Sequence, residues 1–245
     1  MMEAFARIVA CADASGATAL TVLRGEAPLL PRRTAARGGP IAEVHLVGGA
    51  AGPLGGDKLR IEVDVGPGAA LVLRTVGATV ALPGPTGERS VSTLEVRVAA
   101  GGRFAWLPEP IVAAAGCHHL AESIVEIACD AALVWREELV AGRHAEEPGR
   151  LQQTTRIRSD GVTILHQELA VGPDTQWSSP AVLGGARAAG NLVVVSPGTA
   201  APAPTSAPGV ALMPLIGPAT LCAGVAVDVP ALRRAMSALA PLGWV

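Results

Sequence analysis

The sequence predicts a mainly β protein, built as an antiparallel, multi-stranded β-sandwich or solenoid-like single domain that ends in a short helix. The clearest sign is Leu59 to Val65, where apolar and charged residues alternate strictly, so that one strand face is buried and the other is in water. Similar short segments recur along the chain, separated by Gly, Pro or Asp turns. They do not alternate regularly with long helices, which disfavours a parallel α/β sheet.

The individual strands follow from these signals. Gly66-Pro67-Gly68 is a turn, and Ala69 to Val76 is predicted as the return strand of a hairpin with Leu59 to Val65. The further predicted strands are Ser90 to Val98, Phe104 to Leu107, Ser123 to Ala128, Ala131 to Val140, Leu151 to Ile157, Val162 to Leu169 and Asn191 to Val195.

The remaining stretches are predicted as loops and one helix. Residues 27–40 are loop-like, and the Pro-rich residues 197–209 are predicted as a flexible loop. Asp228 can cap a helix whose first turn holds Pro230, so a helix is expected at about 229–240, stopped by Pro241 and Gly243. Residues 1–245 are expected to form one domain, because all-β domains often reach this length.

Composition narrows the function and the compartment. The formal net charge of -2 argues against a nucleic-acid binder, which needs a basic surface. Gly209 to Val227 is nearly long enough to span a membrane, but prolines and glycines interrupt it, so we expect buried strands and loops. The cysteines lack disulfide or zinc-finger spacing, which indicates reduced thiols in the cytoplasm. They are Cys11, Cys117, Cys129 and Cys222.

The usual catalytic signatures are missing from the sequence, so we expect a protein that is not an enzyme. The segment GGDK at 55–58 has a lysine after glycines, but Leu59 stands where a P-loop needs Ser or Thr. Two alternatives stay open. One is a β-rich metalloenzyme that uses His118, His119 and Glu122, and the other is a module that binds a small ligand.

Two glycine- and proline-rich segments are candidate functional regions. In GGAAGPLGGDKL (48–59), the glycines present Asp57 in a crowded turn, where it either hydrogen-bonds its own turn or faces a site. In WLPEPIVAAAG (106–116), two prolines stiffen the backbone around Glu109, which is either solvated or directed toward a partner group.

Two further segments carry metal-binding or charged side chains. Cys-His-His at 117–119 combines a thiol with imidazoles, which suits Zn, Cu or Ni, although two ligands do not make a site. In WREELVAGRH (135–144), Glu137 and Glu138 face opposite sides if the segment is a strand. An exposed ion pair is the plainer interpretation of these charges.

In this order, the four segments resemble the UreD (UreH) family of urease accessory proteins over roughly Val44 to Ser196, and more faintly over the C-terminal helix. GGDKLRIEVDVGPGAA is similar to the family's GGD-x-L strand, LRTVGATVALPG to its Thr-rich segment, GGRFAWLPEPIVAAAG to its LP-x-P segment, and LVWREELVAGR to its E-x-(L/V)…GR strand. An aromatic and a basic residue that the family often has near Val80-Ala81 are absent. The residues that match the motifs are Gly55, Gly56, Asp57, Pro108, Glu109, Pro110, Glu138, Gly142 and Arg143.

The resemblance implies a β-rich cytoplasmic scaffold or chaperone that assembles with UreF, the GTPase UreG and apo-urease to insert nickel. It implies no tightly bound cofactor, with nickel as transient cargo. The C-terminal helix or Val210 to Val227 would dock a partner, and the mean hydropathy of +0.42 predicts poor solubility without one. A polar passage through the β-core would conduct nickel only if its sites bind weakly. The candidate passage residues are Asp57, Thr79 and Glu168, with Cys117, His118 and His119 as secondary candidates.

Overall fold

The computed structural model describes residues 1–240, in which eighteen strands and one helix are found. The helix, α1, spans Val229–Leu239. The strands are β1 (Glu3–Ala12), β2 (Thr18–Gly25), β3 (Leu29–Arg33), β4 (Ala42–Gly48), β5 (Lys58–Val65), β6 (Ala70–Thr75), β7 (Thr79–Ala81), β8 (Ser90–Val98), β9 (Arg103–Leu107), β10 (Ile111–Ala113), β11 (His118–Ile127), β12 (Ala132–Val140), β13 (Arg150–Ser159), β14 (Val162–Val171), β15 (Ala188–Val195), β16 (Thr205–Ala207), β17 (Val210–Pro214) and β18 (Ala219–Ala226).

The strands form two sheets that pack face to face, which confirms the predicted mainly β fold. The first sheet has the order β14-β13-β11-β8-β5-β1-β2, and the second has the order β16-β17-β18-β15-β12-β9-β6-β4-β3. Short strands β7 and β10 extend the second sheet beside β12. From β4 to β13 the chain crosses from one sheet to the other after nearly every strand, so successive turns stack like the coils of a solenoid.

The expectation of antiparallel pairing is wrong for the centre of both sheets. Strands β1, β5, β8, β11 and β13 pair in parallel, as do β4, β6, β9 and β12. The predicted hairpin is wrong for the same reason, since β6 pairs with β4 and β9 of the second sheet instead of with β5. Residue alternation shows which face of a strand is buried, but both pairing directions produce it. Antiparallel pairs remain toward the edges.

The helix lies where it is expected, and two predicted loops contain strands. The Asp228 side chain accepts a hydrogen bond from the N–H of Ala231 at 2.7 Å and caps α1. Residues 27–40 include β3, and 197–209 include β16, because edge pairing orders both stretches. The predicted helix stops, Pro241 and Gly243, lie outside the described residues.

The apolar stretch near the C-terminal end forms sheet structure. Gly209 to Val227 contains β17 and β18, which pair with each other and continue the second sheet. No helix within residues 1–240 combines the length and the apolar character needed to cross a membrane.

The apolar interior is divided into three cores. The largest lies between the sheets around Trp135 and Phe104. A second lies between the second sheet and α1, whose Leu232 and Met236 are buried. The third lies toward one end of the sandwich around Leu139. The boundary between the first and third cores is where polar residues enter the interior.

Candidate functional site between the two sheets

A cavity of about 590 Å³ opens between the sheets, bordered by the segment that follows β4 and by β7. Its walls are largely apolar, as is usual for ligand-sized cavities. Polar groups also reach it from both sheets. They come from Thr75, Thr79, Ser92, Thr93, Glu109, His119, Glu122, Ser123, Glu137, Glu138 and Gln153.

Behind the cavity, five polar residues form a layer across the sandwich, here called the polar layer. On the first sheet Ser123 pairs with Thr155 in register, and Thr155 pairs with Gln167. On the second sheet Glu137 pairs with Asn191. Toward one side lie Trp135 and the largest core, and toward the other lie Leu139 and the third core. The polar layer therefore separates two apolar regions, and two of its members, Ser123 and Glu137, line the cavity.

Hydrogen bonds join the two sheets across the polar layer. Ser123 Oγ donates to Glu137 Oε1 at 2.8 Å, and Thr155 Oγ1 donates to Glu137 Oε2. Gln167 Nε2 donates to Asn191 Oδ1 at 3.2 Å, while Gln167 Oε1 is buried without a partner in the described part of the chain. The hydroxyl and amide oxygens of this layer are uncharged hydrogen-bonding groups and hard oxygen donors.

Glu137 is the carboxyl group among the five residues of the polar layer. Burial raises the pKa of its carboxyl group, while the hydroxyls of Thr155 and Ser123 oppose that shift by stabilising the charged form. A buried carboxylate among neutral donors favours either a proton or a cation. Glu137 is thus a cavity-lining carboxyl group that can take up either a proton or a cation.

His119 places a neutral imidazole on the same cavity wall. Its Nδ1 lies 2.9 Å from Ser90 Oγ, which is in turn 3.3 Å from the carbonyl oxygen of His118. The His119 Nε2 atom is buried and has no hydrogen-bond partner within residues 1–240. Burial lowers the pKa of His119 to about 4, so the ring is neutral at physiological pH. A neutral imidazole with one free nitrogen can accept a metal ion or a proton from the cavity.

A cluster of four charged residues lies where the cavity approaches α1. Arg233 of α1 donates from Nε to both carboxylate oxygens of Glu138, at 2.8 and 3.0 Å, and from Nη2 to Glu109 Oε2 at 3.1 Å. Arg136 Nε lies 3.8 Å from Glu138 Oε1, and Arg136 Nη2 donates to the carbonyl of Pro108 at 3.0 Å. Hydrogen bonding to Glu138 is the main cause that raises the pKa of Arg233. Both glutamates border the cavity.

Of the three predicted passage residues, Thr79 is the one that reaches the cavity. It is half-buried in β7, and its N–H donates to the carbonyl of Pro110 at 3.0 Å. Asp57 is buried, and its carboxylate accepts the N–H groups of Met2 at 2.7 Å and Leu54 at 2.9 Å. Its two oxygens therefore brace the turn before β5. Glu168 is exposed on the edge strand β14, whose inward neighbour Gln167 belongs to the polar layer.

The secondary candidates separate in space. His119 lines the cavity, whereas His118 is half-buried beside Arg150 of β13. Cys117 is buried in the third core, and burial raises the pKa of its thiol to about 11. Within residues 1–240, no group of three or more Cys, His, Asp or Glu side chains is arranged to hold a metal ion.

The remaining motif residues shape the backbone around the cavity. Gly55 lies against another glycine, Gly84, whose N atom would be 2.6 Å from a Cβ added at position 55. The adjacent Gly56 completes the same turn with a φ of +89°. At the far end of β12, Gly142 has a φ of +81°, and Arg143 pairs with Glu146 at 2.7 Å. These residues build turns, so close backbone packing accounts for the glycines.

Several residues of the site are absent from the sequence-based prediction. Ser123 and Thr155 are polar at inward positions of strands whose neighbouring inward residues, Val125 and Ile157, are apolar. That break in the alternation was a usable local signal. Arg233 has no such local signal, because its partners Glu138 and Glu109 lie 95 and 124 residues away along the chain.

Comparisons with known proteins bear on the whole chain. A family model described as UreD urease accessory protein matches residues 3–242. Urease accessory protein UreD of Streptomyces avermitilis is 44% identical, covering 99% of this chain and 98% of the relative. That of Streptomyces coelicolor is 42% identical, with coverages of 98% and 97%. That of Parafrankia sp. (strain EAN1pec) is 41% identical, with coverages of 93% and 84%.

The chain belongs to the UreD family of urease accessory proteins. The resemblance drawn from the four segments is thereby confirmed, and the match extends well beyond them into α1. In this UreD-family chain, the LP-x-P segment and the E-x-(L/V)…GR strand supply Glu109 and Glu138, which meet at Arg233. The motifs thus converge on one side of the cavity although they are separate in sequence.

Proposed function

We propose that this chain is a cytoplasmic scaffold for urease maturation that catalyses no reaction itself and assists nickel insertion in a complex with UreF, the GTPase UreG and apo-urease. The observation that carries the proposal is the match to the UreD family across residues 3–242. Relatives named as urease accessory proteins share about two fifths of their residues with it over nearly the whole chain.

Nickel, as cargo, would move through the cavity and the polar layer. Glu137 and His119 offer one carboxyl oxygen pair and one imidazole nitrogen, while Ser123 and Thr79 offer hydroxyls. This sparse set can replace part of a hydration shell, yet it is too small to trap the ion, which is what conduction requires. The predicted roles of Asp57 and Glu168 stay predictions, and their positions support them less well.

Partner docking is proposed on the apolar surface near the C-terminal end. Met213, Ile216 and Val227 are exposed large apolar residues within or beside the Val210 to Val227 region, close in sequence to α1. Exposed apolar surface of this kind is typical of a docking face. A complex with UreF would cover it and relieve the poor solubility that the composition predicts.

The nickel passage is tested by replacing single carboxylates in a strain that lacks the native chain. We expect Glu137→Gln to reduce the nickel content of purified urease by about tenfold, since an amide, unlike a carboxyl group, cannot release a proton and become an anionic ligand for the ion. Glu168→Gln is the matched control and should leave the nickel content unchanged. The reverse result, with loss only in the Glu168 variant, would restore the sequence-based passage and reject the polar layer.

The scaffold role is tested by co-expression with UreF from the same genome, followed by size-exclusion chromatography. Solubility and co-elution that depend on UreF support the proposal. A monomeric chain that remains soluble alone and ignores UreF would contradict it and favour the small-ligand module instead.

A further inference from the structure

We propose that Arg233 is a positioning residue, which holds Glu109 and Glu138 at the edge of the cavity and acts as a tethered cation that keeps this pair from trapping a metal ion. The inference rests on the proposed passage of nickel. It concerns α1, which the sequence suggested only as a docking element.

The geometry of the contact is that of a cation held between two acids. Arg233 Nη2 donates to Glu138 Oε2 at 2.5 Å and to Glu109 Oε2 at 3.1 Å. Because the Nη2 atom donates to one oxygen of each glutamate, the two carboxylates lie close enough to share a single cation. Arg233 Nε adds two more bonds to Glu138, so the guanidinium is fixed in orientation.

The surroundings show why the two acids need that cation. The side chain of Glu138 is fully buried, whereas that of Glu109 is 37% exposed and lies toward solvent. The backbone N–H of Glu109 is held by Thr75 Oγ1 at 2.9 Å, so its main chain is also fixed. Two close carboxylates repel each other unless a positive charge lies between them.

Arg136 alone does not neutralise the two carboxylates. Its Nε atom lies 3.8 Å from Glu138 and is buried without a hydrogen-bond partner in the described chain, while Nη2 is engaged by Pro108. Without Arg233, the pair would carry more negative charge than Arg136 balances. A divalent ion reaching the cavity edge could then replace the guanidinium and bind more tightly than conduction permits.

The charge of Arg233 should therefore control metal affinity, which a purely structural contact would not do. The test measures Ni²⁺ binding by the purified full-length chain using equilibrium dialysis. We expect Arg233→Gln to raise Ni²⁺ affinity by about tenfold or more, as close charge pairs couple at least this strongly. Arg233→Lys keeps the charge and should bind as weakly as the wild type.

Two further variants guard against a simple folding defect. In Arg233→Gln combined with Glu138→Gln, the buried charge is removed with its partner, so the fold is retained and the added Ni²⁺ affinity should disappear. Arg234→Gln removes an exposed neighbouring charge on α1 and should change nothing. An Arg233→Gln chain that folds, as judged by circular dichroism, but binds Ni²⁺ as the wild type does would overturn the inference.

This binding assay separates the inference from the proposed function. If the wild-type chain fails to support urease activation in the deletion strain, the proposed function is wrong whatever the affinities are. If the wild type supports activation but Arg233→Gln gains no Ni²⁺ affinity, only the role of Arg233 is wrong.

Discussion

Glu137 is a single buried carboxyl group whose burial in the polar layer makes the stability of the fold depend on pH. Its hydroxyl partners, Ser123 and Thr155, satisfy both oxygens but supply no charge. Burial raises its pKa, so the folded chain holds a proton that the unfolded chain releases as the pH rises above the ordinary value of 4.5. The contribution of Glu137 is therefore most favourable in acid and is lost toward neutral pH.

Replacing Glu137 by Gln should remove the pH dependence of stability that this carboxyl group causes. The amide keeps nearly the same volume and can still bond to both hydroxyls, so we expect the melting temperature at pH 7 to stay equal or rise. The difference in melting temperature between the variant and the wild type should become smaller at pH 4–5. Thermal unfolding across this range checks the prediction, and a marked loss of stability at pH 7 would show that the charged carboxylate is needed for folding.

His119 has the opposite dependence on pH. The pKa of His119 is about 4 in the folded chain, whereas its ordinary value is 6.5. As the pH falls, the unfolded chain therefore takes up a proton at this residue before the folded chain does. The folded chain should lose up to about 3 kcal/mol between pH 6.5 and pH 4 from this residue alone.

A His119→Asn variant should be less sensitive to acid. The Asn side chain can replace the Nδ1 contact to Ser90 but cannot take up a proton, so the slope of unfolding free energy between pH 6.5 and 4 should decrease. Urea unfolding at several pH values measures this slope. His118→Asn, on the half-buried neighbour, is the control, and equal slopes in both variants would contradict the assignment.

At the scale of elements, α1 is attached by apolar packing and by the charged contacts of Arg233. Leu232 and Met236 pack on the second sheet, and Arg233 bonds to Glu138 of β12. Breaking a buried ion pair costs more than the pair itself contributes, because the remaining charge loses its partner. Arg233 is partly exposed, with 31% of its side chain accessible, which reduces that cost.

The attachment of α1 can be measured directly. Arg233→Gln should lower the free energy of unfolding by about 2–4 kcal/mol, and adding Glu138→Gln should recover most of that loss. Urea unfolding of the two variants and the Arg234→Gln control gives the coupling. No loss in the Arg233→Gln variant would mean that α1 is held by its apolar face alone.

At the scale of the whole molecule, the fold places the polar layer between two apolar cores and leaves apolar side chains on the surface. Ile216 and Val227 are 60% and 71% exposed. Replacing both by Ser should improve the solubility of the isolated chain, since neither supports a core, while weakening co-elution with UreF. Chromatography of the variant with and without UreF checks both effects, and unchanged co-elution would place the docking face elsewhere.

Much of this architecture is predictable from short stretches of sequence. The alternation in Leu59 to Val65 identified β5 and its buried face, and Asp228 with Pro230 located α1. The four segments identify the family, and two of the candidate residues that the sequence predicts, Thr79 and His119, line the cavity. Asp57 and Glu168 were less well placed, because a carboxylate in a turn or on an edge strand has no sequence mark that separates structural from functional use.

The sequence by itself determined many of the central strands, the helix and the family, because side-chain period, turn residues and caps are properties of neighbouring residues. Only the tertiary structure decided that the chain crosses between the sheets after nearly every strand from β4 to β13, that Glu137 meets Ser123 and Thr155, and that Arg233 meets Glu138. Those contacts depend on strand pairing and sheet packing between residues far apart in the chain, for which a strand's own pattern carries no information.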